Sequence, residues 1–270
     1  MLILSSWVAH GHVGLSAAAP ALQLLGHQVT QLPTILLSNH PGWPHVSGSP
    51  VPVAQLAAML EALAVNGWLA AQDAVLTGYL PTAAHVEFAV DLVRRLRALE
   101  TPPRVVVDPV LGDNPKGLYV PRAVATALRD RLVPEADILT PNAFELGWLS
   151  AAPTDTLDDA AEAGRRLSGR CRVLMTSAPV APDGIGVLEL DHDAPRLWAA
   201  PRRAGVPHGV GDVFSALIAA GLSTGAALGH LDALIAASLD APHLRIAEAA
   251  PRWTAAAPLC PRPRRDTEET

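Results

Sequence analysis

Short, unbroken apolar runs recur along this chain. Each closes on polar residues, and each is followed by a longer stretch of helical spacing. "RVVVDPVL" at 104–111 is the clearest case. A strand that is apolar on both sides of its pleat must be buried on both faces, as in a parallel sheet with helices above and below it. Strand runs at 1–6, 28–38, 74–80, 104–111, 136–142, 172–178 and 185–191 alternate with helical patterns. Those patterns cover 14–25, 53–67, 82–99, 121–131, 143–150, 156–168, 212–224 and 226–239. This order predicts an α/β fold, a central mostly parallel β-sheet of about eight or more strands flanked by α-helices on both faces.

The chain has 270 residues, half of them hydrophobic, enough for a large α/β core and too apolar for a disordered chain. One domain is expected over 1–254, followed by a proline-rich, frayed tail at 255–270. The stretch 39–52, "NHPGWPHVSGSPVP", reads as an ordered loop or flap, and 178–208 as a hairpin followed by a mobile crossover. A formal net charge of −6, with only short basic clusters, argues against a nucleic-acid partner. The two cysteines lie far apart. Cys171 opens an apolar strand as a core thiol, and Cys260 falls in the tail. No apolar stretch reaches the roughly 20 residues of a membrane span, and no secretory leader opens the chain. The expectation is a soluble cytoplasmic protein with no membrane partner.

In open parallel sheets, ligands bind at the carboxyl ends of the strands. Polar residues gather at those ends here: Ser5 and Ser6, Gly78 and Tyr79, Asp108 and Asp113, Thr140 and Asn142, Thr176 and Ser177. Four segments carry candidate chemistry. In "GVGD" (209–212), Gly209, Val210 and Gly211 can turn their N–H groups toward one anion at a helix start. Asp212 there is either a helix cap or a base able to take a proton from an attacking hydroxyl. In "DPVLGDNPKGLYVP" (108–121), Asp108 and Asp113 suit a hydrated Mg²⁺, or are turn residues, while Lys116 and Tyr119 face a nucleotide or solvent. In "TPNAFEL" (140–146), Glu145 holds a metal through water or supplies charge at a helix N-terminus. "SSWVAHGHVGLSAA" (5–18) turns through Gly11 and Gly14, and matches neither the dinucleotide fingerprint nor the P-loop. His10, His12, His40 and His45 come without a carboxylate-rich cluster or HExxH, so polar or ligand-facing histidines are favoured over a transition-metal site.

In this order the segments "GHVGLSAAAPALQLLGHQV", "TILLSNHPGW", "VLTGYL", "DPVLGDNPKGLYVP", "DILTPNAFELGWLS" and "GVGDVFSALIAAGL" resemble pyridoxal kinase of the ribokinase-like superfamily, over most of residues 1–240. The resemblance implies a ribokinase-like fold. It implies transfer of the ATP γ-phosphate to the 5′-hydroxymethyl of pyridoxal, pyridoxine or pyridoxamine, with Mg²⁺ and usually K⁺, by a homodimer. The nearest rival is a hydroxymethylpyrimidine or other small-alcohol kinase of the same fold. The resemblance makes Asp212 the base and Gly209, Val210 and Gly211 the anion hole. Asp108, Asp113 and Glu145 serve the metal, and Asp108, Tyr119, Thr140, Thr176 and Gly209 the nucleotide. Ser6, Tyr79, His40 and Pro41 fall on the vitamin side. This chain departs from the family at Trp7, His10, Leu15, Pro41 and Trp43, all at that same end. Phosphoryl transfer asks mainly for positioning and charge neutralisation, so the lack of a Walker loop is no obstacle.

Overall fold

The structure, a computed structural model, describes residues 1–168, 171–180, 184–191 and 195–262. A nine-stranded sheet runs through it. Its strands are β1 (Leu2–Val8), β2 (Thr30–Leu37), β3 (Gly48–Pro50), β4 (Ala74–Thr77), β5 (Arg104–Val107), β8 (Ile138–Leu139), β9 (Arg172–Val180), β10 (Gly184–Leu190) and β11 (Arg196–Pro201). They lie in the order β11-β10-β9-β8-β5-β4-β1-β2-β3. The pairs from β2 through β9 are parallel, and the two margins, β9–β10–β11 and β2–β3, are antiparallel. A separate two-stranded hairpin pairs β6 (Gly112–Asp113) with β7 (Gly117–Leu118).

The unbroken apolar runs have a direct structural cause. Leu2 and Leu4 of β1, Val105 and Val107 of β5, and Val173 and Met175 of β9 enter one buried cluster. The residues between them, Ile3, Val106 and Leu174, enter a second cluster on the opposite face. Helices α2 (Val53–Val65), α3 (Ala83–Arg97), α4 (Arg122–Ala127), α5 (Ala143–Ser150) and α6 (Leu157–Ser168) cover the first face. Helices α1 (Leu15–Leu24), α7 (Val210–Ala219), α8 (Thr224–Ser238) and α9 (Ala250–Trp253) cover the second. Local signals set the helix ends. Thr82 caps α3 by accepting from the His85 N–H, and Arg94, Arg95 and Arg97 meet its carboxyl end. Ser223 caps α8 in the same way.

Several boundaries differ from the sequence reading. The flap contains the edge strand β3, and the 178–208 segment contains β11, a third antiparallel strand where a mobile crossover was expected. Residues 181–183 and 192–194 of that segment lie outside the described residues. The run at 136–142 is a strand only at Ile138–Leu139, because Pro141 interrupts the ladder. It resumes as one bridge between Asn142 and Thr176. The helical pattern at 121–131 leaves α4 after Ala127 for a π-helical turn at Leu128–Leu132. The first part of the tail is not frayed. The Leu259 N–H bonds the Gly225 carbonyl at 2.9 Å, and the Arg262 N–H bonds the Leu197 carbonyl at 2.7 Å. Its last residues, 263–270, lie outside the described residues. Cys171 is buried, which pushes its thiol up to about 12. Among the described residues, no helix is long and apolar enough to cross a membrane.

The antiparallel margin is tied to α8 by one buried carboxylate. Glu189 of β10, 3% exposed, accepts from Arg172 Nε at 2.9 Å, from Arg196 Nη2 at 3.2 Å and from Thr224 Oγ1 at 2.9 Å. Truncation would leave the largely buried Arg172 guanidinium without its carboxylate, with Thr224 Oγ1 as its remaining partner. Glu189→Ala is therefore expected to cost about 3 kcal/mol of unfolding free energy in a urea titration, the scale for breaking a buried ion pair.

Candidate active site

The site is built around the start of α7. Gly209 takes φ +100°, and a Cβ there would overlap the His12 carbonyl oxygen, so only glycine fits this turn. No side chain caps the helix. With Gly209 as the N-cap, the N–H groups free of a carbonyl one turn earlier are those of Val210, Gly211 and Asp212, one residue along from the Gly209, Val210 and Gly211 expected from the sequence, and all four residues line the cleft. Asp212 does not spend its carboxylate on capping. The Gly14 N–H, in the turn that follows β1, favours its ionised form against the effect of burial. The capping alternative is thereby removed by the geometry.

A cleft of about 550 Å³ opens at the carboxyl ends of β5, β8 and β9. It brings together Asp108, Asp113, Tyr119, Thr140, Glu145, Thr176, Gly209, Val210, Gly211 and Asp212, all anticipated from the sequence. A β-bulge on β9 opposes Thr176 and Ser177 to one residue of β10, and Ser177 takes φ +55°. Bulges of this kind re-aim side chains, here toward the cleft. Glu145 takes the helix-start role foreseen for it and adds a second contact. It forms a capping box with Asn142, and its other oxygen accepts from the Leu111 N–H at 3.0 Å, clamping the Asp108–Asp113 loop to α5. Asp113 Oδ1 is buried with no hydrogen-bond partner. Asp108 is buried and accepts from Ser215 Oγ at 3.0 Å, while Ser215 Oγ lies 2.8 Å from Thr140 Oγ1.

Sequence reasoning missed Ser215. It is the one polar residue in "VFSALIAAGL" and falls three residues after Asp212, so helical spacing puts both on one face. Also missed was the apolar wall of the cleft, from Ile185, Val187, Trp198, Val206, Leu231 and Ile235. These residues lie on β10, β11, α8 and the loop before α7, and only the fold joins them.

The residues expected on the vitamin side, Ser6, Tyr79, His40 and Pro41, do not line this cleft. Ser6 lies against Gly14, where a Cβ would overlap it. Tyr79 packs on the first core cluster, and its N–H bonds Ser5 Oγ at 3.2 Å, so Ser5 rather than Ser6 joins β1 to β4. His40 stacks on His208 at 4.0 Å, and Pro41 is exposed on the flap. His10 meets His243 edge-on at 4.6 Å. Among the described residues, no three His, Cys, Asp or Glu side chains converge closely enough to hold a metal by themselves.

The family model described as phosphomethylpyrimidine kinase matches residues 23–237. A pyridoxine/pyridoxal/pyridoxamine kinase of Bordetella avium is 39% identical over 228 residues, covering 83% of this chain and 77% of its own. The chain belongs to the pyridoxal kinase family. Its fold matches the crystal structure of pyridoxal kinase from Entamoeba histolytica with a TM-score of 0.89 and 25% identity, covering 97% of this chain and 98% of that one. Pyridoxal kinase from Leishmania donovani, in complex with ADP and pyridoxamine, matches with a TM-score of 0.84 and 29% identity, over 97% and 99% of the two chains.

Within that family fold, the electrostatics of the cleft are lopsided. Burial, Glu145 and Asp212 together hold the Asp108 carboxyl well above the usual carboxylate range, against the Ser215 hydrogen bond. Burial pushes Glu145 up to about 7, although the backbone N–H groups of Asn142, Leu111 and Gly112 oppose the shift. The Tyr119 phenol is raised by burial and then by Glu145, Asp108, Asp113 and Asp212. Burial also pushes Asp212 up to about 6, with the Gly14 N–H pulling the other way.

For Asp212 this shift has a definite sign in stability. Between the ordinary carboxylate pKa and about 6, the folded state binds the proton that the unfolded state has lost. Its contribution to stability therefore falls as pH rises through that window. Asp212→Asn removes the penalty, and is expected to raise stability by on the order of 1–2 kcal/mol at pH 8 but not at pH 4. Thermal melts of both proteins at the two pH values check this.

Proposed function

We propose that the chain transfers the γ-phosphoryl group of ATP to the 5′-hydroxymethyl group of pyridoxal, pyridoxine or pyridoxamine. The observation that carries the proposal is Asp212. It is a desolvated carboxylate bonded to one backbone N–H, set beside an uncapped helix start and the carboxylate-lined cleft. Asp212 accepts the hydroxyl proton while the alcohol oxygen bonds to the γ-phosphorus. The bond from that phosphorus to the bridging oxygen breaks, and ADP leaves with the electron pair. The N–H groups of Val210, Gly211 and Asp212 meet the charge on the moving phosphoryl group. A basicity of about 6 keeps Asp212 ionised at neutral pH yet able to take the proton.

Mg²⁺ fits the donors present. Among the described residues, Asp113 Oδ1 lacks a hydrogen-bond partner, and Asp108 carries a single side-chain hydrogen bond. Asp108 and Asp113, with Glu145 acting through water, would hold the ion together with the nucleotide's phosphates. The ion would neutralise phosphate charge. Thr140, Thr176 and Tyr119 line the nucleotide side, and the apolar wall of β10, β11 and α8 takes the base. Ser6, Tyr79, His40 and Pro41 serve the vitamin. The flap at 39–48 and the 178–208 segment exclude water, which would otherwise compete as acceptor. K⁺ as activator, one catalytic domain over 1–254 and a homodimer complete the proposal. Exposed Leu36 of β2 and exposed Val65 and Trp68 at the end of α2 support the dimer.

A second acceptor is kept by the family model, whose description is phosphomethylpyrimidine kinase. An ATP-dependent assay over the three B6 vitamers and hydroxymethylpyrimidine separates the two readings. Turnover confined to hydroxymethylpyrimidine would sink the first. Asp212→Asn is expected to cut kcat by about 10²-fold or more while vitamer binding survives. In the parent protein, kcat/KM should rise with pH through about 6 and then level off. Near-normal turnover of the variant would remove Asp212 from the mechanism.

A further inference from the structure

Helix α7 buries one hydroxyl among apolar side chains. Ser215 is 1% exposed, and its neighbours Val213, Phe214, Ala216, Leu217 and Ile218 are all buried. A buried hydroxyl costs free energy unless it is hydrogen-bonded, and an alanine would pack there without that cost. Serines inside helices commonly donate to the carbonyl four residues back. Ser238 of α8, equally buried, does so to Leu234 at 2.7 Å, and Ser150 of α5 does so to Leu146 at 2.7 Å. Ser215 reaches out of its helix instead. Its Oγ lies 3.0 Å from Asp108 Oδ2 and 2.8 Å from Thr140 Oγ1.

The direction of this chain follows from proton counting. A carboxylate that ligates a cation is ionised and can only accept, and a serine hydroxyl has one proton to give. Ser215 therefore donates to Asp108, and the Thr140 hydroxyl donates to Ser215. Thr140, Ser215 and Asp108 come from three separate elements, the ends of β8 and β5 and the first turns of α7, and all three are buried. In such surroundings each bond strengthens the next. The Asp108 backbone is fixed independently, because its N–H donates to the Thr77 carbonyl at 2.9 Å. The orientation of the carboxylate itself is left to Ser215. Asp108 and Thr140 line the cleft and Ser215 does not, so Ser215 acts on the cleft through them.

We propose that Ser215 is a positioning residue for the cation, a role that rests on the reading of Asp108 as a ligand of Mg²⁺. It fixes the Asp108 carboxylate from the same helix that carries Asp212, three residues earlier on the same face. The base and the metal ligand are thereby held by one rigid element. Mn²⁺ in place of Mg²⁺ tests this without turnover, its binding to the ADP-loaded protein being read by electron paramagnetic resonance of the free ion. Ser215→Ala removes a single oxygen. It is expected to weaken Mn²⁺ by about tenfold, as for loss of an outer partner of a metal ligand, and pyridoxal, read by quenching of tryptophan fluorescence, by less than about twofold. In turnover, the Mg²⁺ concentration for half-maximal rate should rise by about the same factor while KM for pyridoxal stays within about twofold. Ser215→Thr, which restores the hydroxyl, should recover most of the Mn²⁺ affinity. Asp108→Asn is the control and should lose more than Ser215→Ala does. Parent-like Mn²⁺ affinity in Ser215→Ala beside a weakened Asp108→Asn overturns the role of Ser215 alone. Mn²⁺ affinity untouched by Asp108→Asn overturns the metal reading of Asp108 and the role of Ser215 with it. Equal weakening of Mn²⁺ and pyridoxal by Ser215→Ala is the mark of a general distortion of α7, and it too overturns the role.

Discussion

The site depends on how closely the start of α7 docks on the turn that follows β1. Gly209 sits against the His12 carbonyl, the Gly14 N–H holds the Asp212 carboxylate, and Gly14 in turn packs on Ser6. Each contact brings backbone to within a distance that a side chain would forbid. Two segments about 200 residues apart are thereby locked so that the cradle, the carboxylate and the end of the first strand share one corner. Every other functional group is arranged relative to that corner.

Charge is the second organising constraint. The cleft is lined by five carboxylates, of which Asp232 pairs with Arg203, and three of the other four, Asp108, Glu145 and Asp212, are held above their ordinary pKa. Such strain is tolerable where a polyphosphate and its cation restore neutrality on binding. The hydrogen bonds that oppose the shifts are specific. Ser215 serves Asp108, backbone N–H groups serve Glu145, and the Gly14 N–H serves Asp212. They keep the carboxylates oriented while burial works against their ionisation.

Much of this was legible in the sequence because burial on both sheet faces writes itself as unbroken apolar runs, and strand ends write themselves as polar breaks. The glycine turn and the carboxylates Asp108, Asp113, Glu145 and Asp212 that line the cleft fall at those breaks and inside three quotable motifs. The residues expected on the vitamin side were harder to read. His40, expected at the acceptor, stacks on His208, a partner that no spacing rule connects to it. The apolar wall was invisible for the same reason. Trp198, Leu231 and Ile185 belong to three elements, each of which reads as ordinary core on its own. Short edge strands such as β3 and β11 were missed because their hydrogen bonds, not their composition, define them.

The sequence by itself determined the layered α/β fold, the end of the sheet where ligands bind, and the glycine turn with its aspartate. These follow from period, composition and local conformational preference, all short-range quantities. Only the tertiary structure decided whether Asp212 caps its helix or stands free of that duty. The answer lies in Gly209, which takes the N-cap position against the His12 carbonyl from the other end of the chain and leaves Asp212 in the first turn without a capping bond. The same holds for Ser215 on Asp108, Glu145 on the Leu111 N–H and His40 on His208. A hydrogen bond or a ring stack is set by distance in space, and that distance exists only once the chain has folded.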